Sequence, residues 1–468
     1  MYFKQLVKED LGCASYIVGC PNAQVCAVVD PRLDMVDDIL EMADAKGMAV
    51  AAVIETHNHA DHISGHGEIA RRTGADIYVH EDAHAEYAHK NLKDGDELHF
   101  GVVKMRVIHT PGHRPEHIAL AVADTSRGED PWLVLTGDSL FIGDVARPDL
   151  AVPGEEGASL LFDSIFDCLL KFDDGVEVYP AHVAGSLCGR GMNAKTSSTI
   201  GFERKYNTAA APRSRATFVR DMNENLPQRP PNMSNIVERN RLDYANAETP
   251  LIPRPLDAQA FQREIRNGAL VIDTRSPHQF AAGHIPGTLH VWLRGSAFPT
   301  RVGFVASPES RLLLVVHDEN DLRDAVTQLA VVGYDQVIGY LHGGISAWLE
   351  AELPTQALEQ ISVEQLHEMH HNLHVLDVRD PGEWDEGHIE AAMHVPYYFV
   401  EQALHDDNNA LNNFSDRPLA VICGSGQRST IACALLQKYS FARLFNVIGG
   451  MDEWNSQGLP INKERLEL

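Results

Sequence analysis

Short runs of apolar and β-branched residues recur along the first half of the chain, separated by turns or by stretches with helical spacing. Those over 23–30, 49–55, 76–80, 102–109, 118–123, 132–136 and 175–179 predict strands, and 34–46 and 66–73 predict amphipathic helices. Many strands with interspersed helices point to a layered sheet domain over 1–245. Prolines then gather at Pro227, Pro230, Pro231, Pro250, Pro253 and Pro255 and predict an extended proline-rich linker, assigned to 246–257.

The remainder repeats itself. Val271-Ile272-Asp273-Thr274-Arg275 matches Val375-Leu376-Asp377-Val378-Arg379, and Gly283-His284-Ile285 matches Gly387-His388-Ile389. Gly343-Gly344 matches Gly449-Gly450, Trp348 matches Trp454, and Leu353-Pro354 matches Leu459-Pro460. The offset is 104 in the first half of each copy and 106 in the second. Two related α/β domains follow, over 258–355 and 362–468, with strands alternating with helices in mainly parallel sheets.

A length of 468 residues suits about three domains, and 44% hydrophobic with 22% charged residues is ordinary globular composition. The net charge of −27 argues against nucleic acid or an anionic membrane as partner. No apolar run approaches the ~20 residues that span a bilayer. Seven cysteines scattered over three regions form no disulfide framework, and Met1-Tyr2-Phe3-Lys4-Gln5 opens no apolar leader. The expectation is a cytoplasmic protein.

Candidate chemistry begins at Glu55-Thr56-His57-Asn58-His59-Ala60-Asp61-His62, just past a predicted strand. His113, Asp138 and His182 also follow predicted strands, and a loop after a strand can aim several side chains at one point. Histidine with carboxylate suits zinc, iron or manganese. The pattern resembles the metallo-β-lactamase fold, an αββα sandwich, over residues 1 to about 205. Fold alone fixes no reaction. The stretch from Glu55 to Gly65, Leu135-Thr136-Gly137-Asp138 and Ala146-Arg147-Pro148-Asp149 are most similar to the persulfide dioxygenase branch of that fold. The resemblance implies one Fe(II) per chain on His57, His113 and Asp138, with His59, Asp61, His62 and His182 around these ligands. All seven positions are intact, so the sequence also accommodates two metals. Cys188, six residues beyond His182, is a candidate to receive or hold sulfane sulfur. Arg147 is a candidate for binding a substrate anion or for a structural ion pair. Cys13, Cys20, Cys26, Cys168 and Cys433 read as core.

The second chemical feature is Cys423-Gly424-Ser425-Gly426-Gln427-Arg428-Ser429. Backbone N–H groups at a helix start favour an anionic sulfur, and the glycines allow the tight curve. Gly424, Ser425, Gly426, Gln427 and Ser429 are the substrate-cradling candidates, Arg428 adds positive charge, and the helix is expected to begin near Ser429. With Asp377-Val378-Arg379 and Gly387-His388-Ile389, the unit resembles a rhodanese. In the first copy, the offset of 106 sets His317 opposite Cys423 and gives an acidic loop without a thiol. That copy is expected to be inactive and kept for packing or docking.

The three-part order resembles bacterial fusions of persulfide dioxygenase with a degenerate and an active rhodanese, which work in sulfide detoxification. It implies oxidation of a low-molecular-weight thiol persulfide (on glutathione, coenzyme A or similar) by O2 to sulfite. Sulfite then takes a second sulfur from Cys423 and leaves as thiosulfate. The alternatives are the transfer step run in reverse, a dinuclear zinc thioester hydrolase of glyoxalase II type, and a non-catalytic sulfur-carrier scaffold. A homodimer or homotetramer is expected.

Overall fold

In the computed structural model, the described residues are all except 185, 187, 225, 243–252, 370–372, 407–408, 442 and 464–468. They divide into two compact units, Met1–Pro250 with Ala330–Gly333, and Leu251–Leu329 with Tyr334–Leu468.

Two six-stranded sheets build the first unit. One runs in the order Tyr2–Lys8, Cys13–Cys20, Val25–Val29, Ala49–Ile54, Asp76–His80, Lys90–Leu92. The other runs Ser198–Thr199, Glu177–Pro180, Leu133–Gly137, Ile118–Asp124, Val103–His109, Glu97–Phe100. Alternation along each strand decides what lies between them. Ala14, Tyr16, Val18, Ala27, Val29, Ala52 and Ile54 meet Met105, Val107, Leu120, Val122, Leu133 and Leu135 in a shared core. Their neighbours face outward: Ile17, Val28 and Val53 pack on the helices Val36–Asp44 and His66–Thr73, while Ala119, Val134 and Val178 pack on Gly154–Asp163 and Arg215–Asn223. This is the predicted αββα sandwich. Burying one Val, Leu or Ile side chain contributes about 1.5–3 kcal/mol, so the sandwich core outweighs any single polar feature of the unit.

The proline-rich linker fares differently. Residues 246–252 of it lie outside the described residues, and Met233–Arg241, just upstream, is a helix. Arg254–Leu256 is a strand, pairing in parallel with Val337–Leu341. It is an edge strand, where Pro255 needs no ladder N–H.

The second unit holds two five-stranded sheets whose pairings are all parallel. The repeated motifs are mostly structural. Arg379 binds the Asp377 carboxylate and the Gly387 carbonyl, and Arg275 does the same with Asp273 and Gly283. Trp348 and Trp454 donate to the carbonyls of Pro354 and Pro460, at 2.9 and 3.0 Å.

Sheet register corrects one expectation. Val271 pairs with Leu313 and Val375 with Ala420; likewise Asp273 pairs with Val315 and Asp377 with Ile422. Val315 therefore corresponds to Ile422, and Val316, not His317, stands opposite Cys423. The first copy carries one extra residue, Ile338, as a bulge inside the strand Val337–Leu341: the offset is still 107 at Val337 and Leu444 and returns to 106 at Gly339 and Phe445.

Candidate metal centre and cysteine loop

His57 follows the strand Ala49–Ile54, His113 the strand Val103–His109, and Asp138 the strand Leu133–Gly137. Their ligand atoms all lie within 4.8 Å of one another. Asp138 Oδ2 is 3.9 Å from His57 Nε2 and 3.4 Å from His113 Nε2. Hydrogen bonds behind the histidines orient them. Thr56 Oγ1 sends its single proton to Asp30 Oδ2 at 2.9 Å, so it accepts from His57 Nδ1 at 3.0 Å. His113 Nδ1 donates to the Arg147 carbonyl at 3.1 Å. Both rings thus present an unprotonated Nε2 to Asp138. Burial, with positive neighbours, drives His57 well below its ordinary value, and burial also lowers His113. Burial alone would raise Asp138, but the charge and hydrogen bond of His182 outweigh it and keep the carboxylate ionised.

Asp138 can turn inward because Gly137 precedes it at φ +51°. A Cβ there would stand 2.5 Å from His117 Nε2, which accepts the Asp138 N–H at 2.8 Å.

His57 Nε2 and Asp138 Oδ2 are buried with no hydrogen-bond partner. Leaving such a group unsatisfied costs about 1–3 kcal/mol. Two neutral imidazole lone pairs and a carboxylate oxygen, converging and unspent, fit a divalent transition metal.

Of the other four predicted residues, His182 is fully hydrogen-bonded, whereas His59 Nδ1, His62 Nε2 and Asp61 Oδ1 are also buried without a hydrogen-bond partner. His182 Nδ1 bonds Asp138 Oδ1 and its Nε2 bonds Asp61 Oδ2, both at 2.7 Å. His59 Nε2 lies 3.3 Å from both Asp30 and Glu55. His62 Nδ1 is 3.2 Å from Asp61; despite burial, that carboxylate lifts the imidazole to about 9.

In the second unit, Cys423 ends the strand Leu419–Ile422, and the helix Gln427–Lys438 begins two residues earlier than expected. Cys423 Sγ accepts from the Gly426 N–H at 3.1 Å and lies 3.5 Å from Ser429 Oγ. Among the described residues, no other loop N–H bonds the sulfur. Gly450, at φ +55°, has room for no Cβ, which would come 2.2 Å from the Cys423 carbonyl oxygen. The matching Gly344 of the first copy makes no such approach, since a Cβ there would stand 3.7 Å from the Val316 carbonyl oxygen. Arg428 is half-buried and committed to Asp380 at 2.8 Å and to both Glu383 oxygens at 2.5 and 2.7 Å. In the first copy, Asp318 Oδ1 accepts the N–H groups of Asn320 and Asp321, so a carboxylate occupies donors at that helix start.

Comparison with known proteins agrees with this geometry. The family model described as "Metallo-beta-lactamase superfamily" matches residues 9–182, and "Rhodanese-like domain" matches 257–351 and 362–457. The chain carries a metallo-beta-lactamase domain followed by two rhodanese-like domains. A crystal structure described as a metallo-beta-lactamase from Staphylococcus aureus is 29% identical, covers 72% of this chain and 98% of its own, and has a TM-score of 0.65. The structure of ETHE1 from Myxococcus xanthus is 30% identical over 52% of this chain and 98% of its own, at a TM-score of 0.46. A hydroxyacylglutathione hydrolase of Rhodospirillum rubrum is 34% identical over 134 residues, 28% of this chain and 49% of that protein.

Within the metallo-beta-lactamase domain, Arg147 is not a free anion receptor. It is 2% exposed, and its Nε and Nη2 bind Asp149 at 2.8 and 3.0 Å, with Nη2 also on the Pro227 carbonyl. What it lends the site is its main-chain oxygen, which holds His113. Cys188 does stand beside Asp138 and His182, but burial and Asp138 push its thiol well up. Cys13, read as core, has Sγ 3.3 Å from Asp61 Oδ2 and 3.6 Å from His62 Nδ1. Burial and Asp61 oppose its thiolate, yet His62 and His182 prevail and lower its pKa. Sequence reasoning missed Asp30, His117 and Cys13. The only local signal was Gly12 before Cys13, at φ +68°.

Proposed function

We propose that the chain is a non-haem iron persulfide dioxygenase coupled to a sulfurtransferase that works through Cys423. The observation that carries this reading is the convergence of His57 Nε2, His113 Nε2 and Asp138 Oδ2, beside a His182 whose two ring nitrogens are both hydrogen-bonded to carboxylates. With no lone pair left on His182, the arrangement supports one metal on the first three residues. Iron(II) held by the three residues would supply the O2 chemistry that side chains lack.

The chain's own groups do the rest. Thr56 and the Arg147 carbonyl fix the imidazoles, and His182 fixes Asp138. His182, Asp61 and His62 form a buried chain placed to carry protons away. The balance is RSSH + O2 + H2O → RSH + SO3²⁻ + 2H⁺, in which the sulfane sulfur gives four electrons to O2. At the second site, a Cys423 persulfide anion meets the Gly426 N–H. Sulfite attacks its outer sulfur, the S–S bond breaks, Cys423 leaves as thiolate, and thiosulfate forms.

The hydroxyacylglutathione hydrolase relative and the seven intact ligand positions favour a second reading, a dinuclear zinc thioester hydrolase. Product analysis tests the first. With glutathione persulfide and O2, the natural chain yields thiosulfate, and Cys423→Ser yields sulfite at a similar rate of O2 use. Unchanged thiosulfate from Cys423→Ser, with the uncatalysed sulfite–persulfide reaction subtracted, removes Cys423 from the transfer step.

A further inference from the structure

The cation expected of the cysteine loop is spent: Arg428 faces two carboxylates, Asp380 and Glu383, which together exceed its charge. A dianionic sulfur oxyanion would therefore meet, at the loop itself, an Arg428 already paired with carboxylates. The first rhodanese-like domain supplies another cation. Arg301 lies on its helix Phe298–Val305, and its Nη1 donates to Gln427 Oε1 at 2.8 Å, one residue before Arg428. Nη2 donates to Ser296 Oγ at 2.9 Å. These use two of the guanidinium's five N–H groups.

Among the described residues, no carboxylate lies within 4.0 Å of Arg301, and the side chain is largely buried. Burial lowers its pKa most, Tyr397 raises it, Arg428 lowers it, and Cys423 and Asp380 raise it, so the guanidinium stands within electrostatic reach of the sulfur and of the carboxylate that Arg428 binds. The wall around it is built from the same domain. Gly295 packs so closely on Gln427 that a Cβ would come 2.7 Å from Oε1, and Phe304 stacks on Tyr398 with centroids 4.9 Å apart. A largely buried charge with no carboxylate in contact is costly, and a bound anion offsets it.

We propose that Arg301 of the cysteine-less domain binds the sulfur oxyanion, thiosulfate or sulfite, that reacts at Cys423. The domain that lost its thiol is thereby the specificity-determining half of the sulfurtransferase site. This rests on the assignment of transfer to Cys423.

The test is steady-state transfer from thiosulfate to cyanide by the full-length protein. Arg301→Gln is expected to raise KM for thiosulfate at least tenfold while kcat changes less than threefold. Arg301→Lys keeps the charge and loses the fork, and its KM should rise between threefold and tenfold. Thermal unfolding identifies which variants are folded. A natural KM in either folded variant overturns the proposal. Full activity of Cys423→Ser would instead overturn the transfer assignment beneath it, so the two failures are distinct.

Discussion

At Asp138 one carboxylate serves two environments, Oδ1 toward His182 and Oδ2 toward His57 and His113. The position of each histidine's second nitrogen then decides its role. Where it meets a hydroxyl or carbonyl, as in His57 and His113, Nε2 stays available for a metal. Where both nitrogens meet carboxylates, as in His182, none is left. Replacing His57, His113 or Asp138 by Ala should strip iron and abolish O2 uptake. His62→Ala should weaken turnover and keep most of the iron. Metal analysis of the purified variants checks this, and equal iron loss in His62→Ala and His57→Ala would refute the mononuclear assignment. The seven ligand candidates were readable from their places after strands. Asp30, Cys13 and Arg301 were not, because each reaches its site across the fold rather than along the chain.

Among the elements, strands with clean alternation and firm turn punctuation were legible to the residue, as at Asp76–His80, and so was the helix His66–Thr73. Tyr2–Lys8 is partly buried along its length and mixes Lys and Gln with apolar residues, so its pattern is weak. Gly154–Asp163 begins at a glycine without a side-chain cap, which removes the usual start signal. The misplacement of His317 has a similar origin: the bulge at Ile338 is hidden when matches are anchored downstream at Gly-Gly and Trp. The corrected register makes Val316→Cys the informative variant. It should not create a second sulfurtransferase, because Asp318 already holds the helix-start donors. Transfer kinetics in a Cys423→Ser background measure this, and activity near that of the natural chain would show that the acidic cap is not what silences the copy.

His290, on the short strand Leu289–His290, ties element to pH. Burial pushes it down to about 4, while an unfolded histidine titrates near 6.5. Above about 6.5 both states are neutral there, and its contribution is fully present. As pH falls from about 6.5 through about 4, the unfolded state binds the proton first, so stability is lost, on the order of 3 kcal/mol from this group. Urea unfolding across that range should show the decline, and His290→Gln should flatten it. An equal pH slope in both proteins would dismiss the assignment.

Taken whole, the molecule places a metallo-beta-lactamase sandwich and two rhodanese-like domains on one chain. On the proposed function, tethering would raise the chance that reactive sulfite from the first site is captured at the second. No helix among the described residues is long and apolar enough to cross a membrane. Domain order was legible because repeated side chains such as Arg275 and Arg379, or Trp348 and Trp454, have structural work that keeps them in register. What the repeat concealed was asymmetry, with one copy holding Cys423 and the other setting Arg301 on Gln427 beside it.

The central claim is tested most directly by O2 uptake of the iron(II)-loaded chain supplied with glutathione persulfide, alongside thioester cleavage by the same preparation. The account predicts one O2 consumed per persulfide oxidised and no appreciable cleavage of S-lactoylglutathione. Rapid thioester cleavage without O2 uptake would contradict it and establish the hydrolase.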